Sequence, residues 1–155
     1  MNELIQLVVF CLDEQRYALP LAAVERTVRA VEVTPLPKAP DIVFGVIDVQ
    51  GRVLPVLDLR RRFRLPQREI RPVDQFLIAH TVTRTVVLVI DVAEGVIGLP
   101  QSAVIPSTRI VPGLDQIKGV IRLDDGLVLI HDLERCLSLD EARALDEAMS
   151  QDASC

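Results

Sequence analysis

The sequence predicts an all-β fold with a short C-terminal helix, made of two similar β-rich units that share one core. Three observations carry this. Landmarks recur in the same order: Leu19-Pro20-x-x-Ala23-Val24 returns as Leu99-Pro100-x-x-Ala103-Val104, and Gly45-Val46-Ile47 with Asp58-Leu59 returns as Gly119-Val120-Ile121 with Asp132-Leu133. Half of the 155 residues are hydrophobic yet only 3% are aromatic, so valine, isoleucine and leucine must fill strands packed on both faces. Turn residues sit between paired β-branched runs, at Gln50-Gly51 and at Asp124-Asp125-Gly126.

The elements follow in order. Leu4–Leu12 reads as a first strand, ended by Asp13-Glu14-Gln15-Arg16, and Tyr17–Leu19 resumes the extended pattern. Pro20 presets a turn or helix start, and the spacing of Leu21, Val24, Val28 and Val31 predicts a short helix from about Leu21. Three prolines within Thr34–Pro40 demand an ordered loop. Val43–Val49 and Val53–Leu59 form a hairpin about Gln50-Gly51; Phe76–Ala79 and Val82–Val92 are strands, with Ala93-Glu94-Gly95 the next turn. Val96–Leu99 opens the second copy and Ile105–Pro112 is a connection. Val120–Leu123 and Leu127–Ile130 make the second hairpin, its turn longer by one residue than the first. Ser138 and Glu141 form a capping box, with Ala142, Leu145 and Met149 on one face of a helix over Leu139–Met149 and fraying after Ser150. The expected organisation is one domain over 1–139, made of units near 13–70 and 72–130 that the terminal segments complete, and a helix and tail over 139–155. Leu19, Pro20, Val46, Ile47, Val120, Ile121, Leu129 and Leu133 are assigned to the core; Pro40 and Pro55 are structural.

Charge and cysteine usage narrow the function. The net charge is -5, and Asp140, Glu141, Asp146, Glu147 and Asp152 against Arg143 place -4 of it in the tail, so the body is near neutral and a poor binder of nucleic acid. Cys11, Cys136 and Cys155 are scattered, which argues against a disulfide framework or zinc site and for a reducing, cytoplasmic setting. No signal peptide or membrane-length apolar run is read, so no direct membrane insertion is expected. His131-Asp132 are neighbours on a strand and point to opposite faces, no nucleophile elbow or phosphate loop accompanies them, and no catalytic residue, cofactor or metal site is assigned. Arg60, Arg61, Arg62 and Arg64, followed by Arg68 and Arg71, are either a solvated segment or a basic docking patch for an acidic protein surface.

From Leu36 to Phe63 the chain reads LPKAPDIVFGVIDVQGRVLPVLDLRRRF, which resembles the CheW family: a Pro-x-Ala-Pro loop, Gly-Val-x-Asn-Leu-Arg-Gly, then Pro-Val-x-Asp-Leu-Arg. Leu4–Tyr17, Gly119–Leu137 and the total length also resemble that family. The resemblance implies two small five-stranded β-barrels around a shared core. It also implies a non-catalytic chemotaxis scaffold without cofactors, which couples chemoreceptor cytoplasmic hairpins to the regulatory domain of a CheA-type histidine kinase. The alternative is an adaptor in a non-chemotaxis or twitching-motility type pathway. The chain departs from the pattern at Asp48-Val49-Gln50-Gly51, where Gln50 stands for the usual arginine, and at Val24-Glu25-Arg26, where Arg26 stands for the usual glutamate. The expected receptor-side groove is therefore Val24 and Val28, for which plain core packing is the alternative, rimmed by Arg26 and Gln50, with Gly51 shaping the hairpin tip and receptor preference altered by the reversed rim charge.

Overall fold

A computed structural model describes residues 4–106 and 117–153. The strands are β1 (Leu4–Leu12), β2 (Gln15–Pro20), β3 (Val24–Arg29), β4 (Val43–Val49), β5 (Arg52–Leu57), β6 (Gln75–His80), β7 (Thr85–Ile90), β8 (Val92–Pro100), β9 (Val104–Pro106), β10 (Ile117–Leu123) and β11 (Gly126–His131). Helix α1 is a single turn, Leu59–Arg62, and α2 spans Leu139–Ala153. No helix among the described residues is long and apolar enough to cross a membrane.

The strands form two sheets, in the orders β8-β1-β2-β11-β10-β9 and β3-β6-β7-β5-β4. Each curls into a five-stranded barrel. In the first, β8 and β9 occupy opposite edges yet are separated only by a 3-10 turn over Gln101–Ala103, so one bent crossing strand joins the two edges. In the second, the chain leaving edge strand β3 reaches the other edge at Thr34, which exchanges two backbone hydrogen bonds with Val46 at 2.9 and 2.8 Å. The sheets draw on 4–20 with 92–106 and 117–131, and on 24–90, so the N-terminal hairpin completes the barrel built by the second half.

Strand alternation explains the composition, because both faces are buried. On β6, Leu77 and Ala79 face the core between the barrels while Phe76 and Ile78 fill the second barrel's interior. On β1, Val8, Phe10 and Leu12 join the shared core while Leu7 and Val9 fill the first barrel. Of the assigned core residues, Leu19, Val46, Ile47, Val120, Ile121 and Leu133 are buried; Pro20 and Leu129 are half-buried. Pro55 is buried within β5, and the Pro40 carbonyl accepts from the Val43 N–H at 2.9 Å.

The ladders fix which parts of the repeat correspond. Ala18 opposes Ile130 and Val87 opposes Val56 across the two parallel pairs, so the β1–β2 hairpin matches β6–β7, while β4–β5 matches β10–β11. The Gly-Val-Ile and Asp-Leu landmarks are thus equivalent in space. Gly45 and Gly119 sit where the crossing strand passes over. A Cβ on Gly45 would lie 2.1 Å from the Thr34 carbonyl oxygen, and one on Gly119 would lie 2.8 Å from that of Ile105. The Leu-Pro landmark repeats only locally: both copies make a 3-10 turn, but Leu21–Ala23 carries the chain from one barrel to the other, whereas Gln101–Ala103 stays within one.

Several expectations are corrected. The short helix from Leu21 is a 3-10 turn followed by β3, because Val24, Thr27 and Val28 are β-branched and find ladder partners Ala79, Leu77 and Phe76 on β6. Val82–Val92 is not one strand: Val82 and Thr83 form a turn and the chain changes barrels at Asp91. Ala93-Glu94-Gly95 is not a turn but a bulge in β8, where Phe10 opposes Ala93 and Val9 opposes Gly95. The two repeated hairpins have equal turns, since Val49 opposes Arg52 as Leu123 opposes Gly126, and Gly126 belongs to the strand. Val53–Leu59 ends at Leu57 because Asp58 caps α1, its carboxylate accepting from the Arg61 N–H at 3.2 Å. The capping box forms as drawn, with Ser138 N–H on Glu141 Oε1 at 2.8 Å and Glu141 N–H on Ser138 Oγ at 3.1 Å; α2 then continues past Ser150 to Ala153. Most of the Ile105–Pro112 connection, and Cys155, lie outside the described residues.

Candidate functional site

The site expected from the sequence lies at one end of the second barrel, where edge strand β3 approaches the β4–β5 hairpin tip. Gln50 and Gly51 are the two turn residues, at φ 52 and 85, and the Asp48 carboxylate accepts from the Gly51 N–H at 2.8 Å. Both central residues are left-handed, the condition of a type I′ hairpin turn that follows the twist of its strands. Gln50, Gly51 and Arg26 are all exposed.

Val24 and Val28 do not form one seam. A β-bulge between Val24 and Arg26 inserts Glu25 and inverts the alternation, so Val24 packs on the shared core and Val28 on the barrel interior. The same bulge brings forward a residue that position-by-position reading misses. Glu25 Oε2 accepts from Arg52 Nη1 at 3.0 Å, and Arg52 Nη2 also donates to Thr85 Oγ1 at 3.0 Å. A carboxylate–guanidinium pair therefore spans β3, β5 and β7 at this rim, one position before Arg26 and two after Gln50. The Arg52 hydrogen bond holds the Glu25 carboxyl below its ordinary range, against a smaller opposing effect of burial and with help from the charges of Arg52, His80 and Arg26. Arg52 is raised in turn by the same bond. The signal in the sequence is the Gly51-Arg52 step after the turn; the bulge itself leaves no trace there.

The arginine run divides. Arg61 and Arg64 are exposed, but Arg60 is buried, bonded to Asp13 and, at 2.8 Å, to Asp91; Arg62 donates to both carboxylate oxygens of Glu141 at 2.6 Å. Arg60 and Arg62 are thereby removed from the expected docking patch. Arg68 bridges Asp74 and Asp91 at 2.8 and 2.7 Å. Burial raises the carboxyls of Asp74 and Asp91, but their hydrogen bonds and the facing guanidiniums outweigh it and leave both below the ordinary value of 3.8. Charge that looks like surface in the sequence is folded inward because α1 is one turn long with Leu59 fully buried, which turns Arg60 under the β1–β2 hairpin.

His131 is fully buried, edge-on to Phe63 at 4.9 Å, and Phe63 stacks on Tyr17 at 4.6 Å. This aromatic stack makes His131 part of the core. Burial, then Glu94, pushes the Cys11 thiol up to about 11, and burial pushes Cys136 up to about 12, so neither is an activated nucleophile. Among the described residues no three His, Cys, Asp or Glu side chains gather as metal ligands. A cavity of about 390 Å³ lies between α2 and the β6–β7 turn, floored by Leu57, Val86, Leu133 and Cys136 and crossed at its rim by the Arg84–Asp146 ion pair.

Two fused barrels with a charged, exposed rim define a protein-contact scaffold, a molecule that acts by surface complementarity. A family model described as CheW-like domain matches residues 6–141. The chemotaxis protein CheW of Treponema pallidum is 27% identical over 146 residues, covering 90% of this chain and 86% of that protein. Protein FrzA of Myxococcus xanthus is 31% identical over 97 residues, 63% of this chain and 61% of that one. The crystal structure of scaffolding protein TtCheW from Thermoanaerobacter tengcongensis matches with a TM-score of 0.80 at 25% identity, covering 91% of this chain and 96% of that chain. The chain belongs to the CheW-like domain family, whose members are non-catalytic chemotaxis coupling scaffolds.

Proposed function

We propose that this scaffold, acting as one domain over residues 1–139, couples the cytoplasmic hairpin of a chemoreceptor to the regulatory domain of a CheA-type histidine kinase, in the cytoplasm at membrane receptor arrays. The rim formed by Glu25, Arg26, Gln50, Gly51 and Arg52 is the receptor side. The observation that carries this is the Glu25–Arg52 pair. It supplies the carboxylate and guanidinium that the family motif puts at neighbouring positions, so recognition by charge is retained with its geometry shifted. Arg26 adds a positive charge beside that pair and Gln50 contributes none, which favours a receptor with an additional carboxylate facing Arg26. Arg61 and Arg64 remain available as a small basic contact for an acidic partner surface.

Binding of a receptor cytoplasmic fragment and of a kinase regulatory domain is measured separately for the parent, Arg52→Glu, Arg26→Glu and the exchange Arg26→Glu with Gln50→Arg. Arg52→Glu weakens receptor binding by about tenfold, the size of a rim-charge effect, with the kinase affinity unchanged. The exchange moves preference toward receptors lacking the extra carboxylate. Receptor affinity indifferent to all three variants refutes this assignment of the rim.

A further inference from the structure

The repeated Asp-Leu landmark meets a hairpin turn of the opposite barrel, and it does so twice. Arg60 and Glu134 each follow the landmark, after Asp58-Leu59 and Asp132-Leu133. Asp13 and Val82 are likewise equivalent, each the first of two turn residues in the matched β1–β2 and β6–β7 hairpins, since the Thr81 N–H still reaches the Arg84 carbonyl at 2.8 Å. Arg60, carried by the second barrel, bonds the Asp13 carboxylate of the first. Glu134, carried by the first barrel, accepts from the Val82 N–H of the second at 3.1 and 3.3 Å. The same position of the duplicated motif thus holds the other barrel's turn in both directions, with the donor and acceptor roles exchanged.

The two contacts differ in support. Around Arg60, the Asp91 carboxylate accepts from Arg60 and Arg68 and also from the Asp13 N–H at 2.9 Å, and the Asp91 N–H reaches the Cys11 carbonyl at 2.9 Å. Asp13 and Glu14 sit at φ 48 and 68; aspartate tolerates this left-handed region but glutamate does not, so the network holds a turn that Glu14 disfavours. Glu134 is exposed and borders the cavity beneath α2. One contact is a buried multidentate latch and the other a solvent-facing one.

We propose that Arg60 and Glu134 are positioning residues: they fix the orientation of one barrel against the other, and with it the relation between partner surfaces carried on each. The second half of this statement rests on the coupling function proposed above.

The test uses the full chain with Cys11→Ser and Cys155→Ser, and nitroxide labels at Val53→Cys on β5 and Val96→Cys on β8. Both positions are more than half exposed, at 52% and 53%, one on each barrel. Interlabel distances are compared for the parent, Arg60→Met, Glu134→Leu, Glu134→Gln and the double variant of the first two. A narrow parental distribution broadens in Arg60→Met and in Glu134→Leu, most in the double variant, and stays parental in Glu134→Gln, whose amide oxygen still accepts from Val82. Amide exchange at Asp13 accelerates about tenfold in Arg60→Met, the equivalent of one lost hydrogen bond. An unbroadened double variant, or Glu134→Gln and Glu134→Leu broadened alike, overturns the proposal. If Arg60→Met does not fold, the two Glu134 variants still decide. Parental chain that binds neither receptor nor kinase domain refutes the coupling reading alone, leaving the distance result to judge the positioning.

Discussion

Replacing Gly45 by alanine tests the claim that the repeated glycines exist to let the crossing strand close each barrel. The added methyl carbon would lie 2.1 Å from the Thr34 carbonyl oxygen, 2.8 Å from its carbon and 2.9 Å from Val33 Cγ1. The two nearest atoms belong to the backbone, which has no rotamer to escape by, so Thr34 must withdraw from Val46. That loses two backbone hydrogen bonds at about 1 kcal/mol each, and residual crowding together with the unfavourable φ of 153 adds on the order of 1–2 kcal/mol. The expected cost is therefore about 3–4 kcal/mol, a large part of the stability of a domain this size. Gly119→Ala has the same cause with less overlap, its closest atoms being Val104 Cγ1 at 2.7 Å and the Ile105 carbonyl oxygen at 2.8 Å, and costs about 2 kcal/mol. Gly51→Ala meets no atom within 4 Å and suffers only the left-handed backbone at φ 85, about 1 kcal/mol. Urea unfolding followed by far-ultraviolet circular dichroism and by fluorescence of the single tyrosine, the buried Tyr17, gives all three values. Equal losses for Gly45→Ala and Gly51→Ala would refute the closure argument.

Two further outcomes follow from the packing and the charges. Leu145 is fully buried where α2 meets the shared core, so Leu145→Ala costs about 3 kcal/mol and Ser138→Ala, which removes one capping bond, about 1 kcal/mol; helix content and urea midpoint report both. Asp74, Asp91 and Glu141 are held below their ordinary values of 3.8 and 4.5 in the folded state. Their stabilisation is complete above those values and is lost as pH falls through the lower folded ones, so the urea midpoint falls with acidification below about pH 4 and falls less in Asp91→Asn. A midpoint unchanged from neutral pH into the acid range contradicts the ion-pair assignments.

The β class, the two hairpins and the capping box were legible in local pattern, and the scaffold reading came with the family resemblance. Alternation of β-branched residues on both faces demands two-sided burial, and Ser138 with Glu141 needs only the adjacent turn of helix to form its two bonds. Val24 and Val28 show where such reading ends: their helical spacing and their supposed common face both gave way to a bulge set by pairing with β6, a strand some fifty residues away in the chain. Arg60 reads as solvent-facing charge in the sequence because its partners Asp13 and Asp91 lie 47 and 31 residues away in the chain.

The sequence by itself therefore determined what each short segment prefers, and it determined the family, because motif order survives as a string. Only the tertiary structure decided which barrel each hairpin joins, that Leu19-Pro20 and Leu99-Pro100 occupy different places despite their likeness, and that Glu25 rather than Arg26 faces Arg52. The physical reason is range. Propensity, turn chemistry and capping act over a few residues, whereas bulges, buried ion pairs and barrel closure are set by backbone groups from distant segments competing for the same hydrogen bonds and the same space.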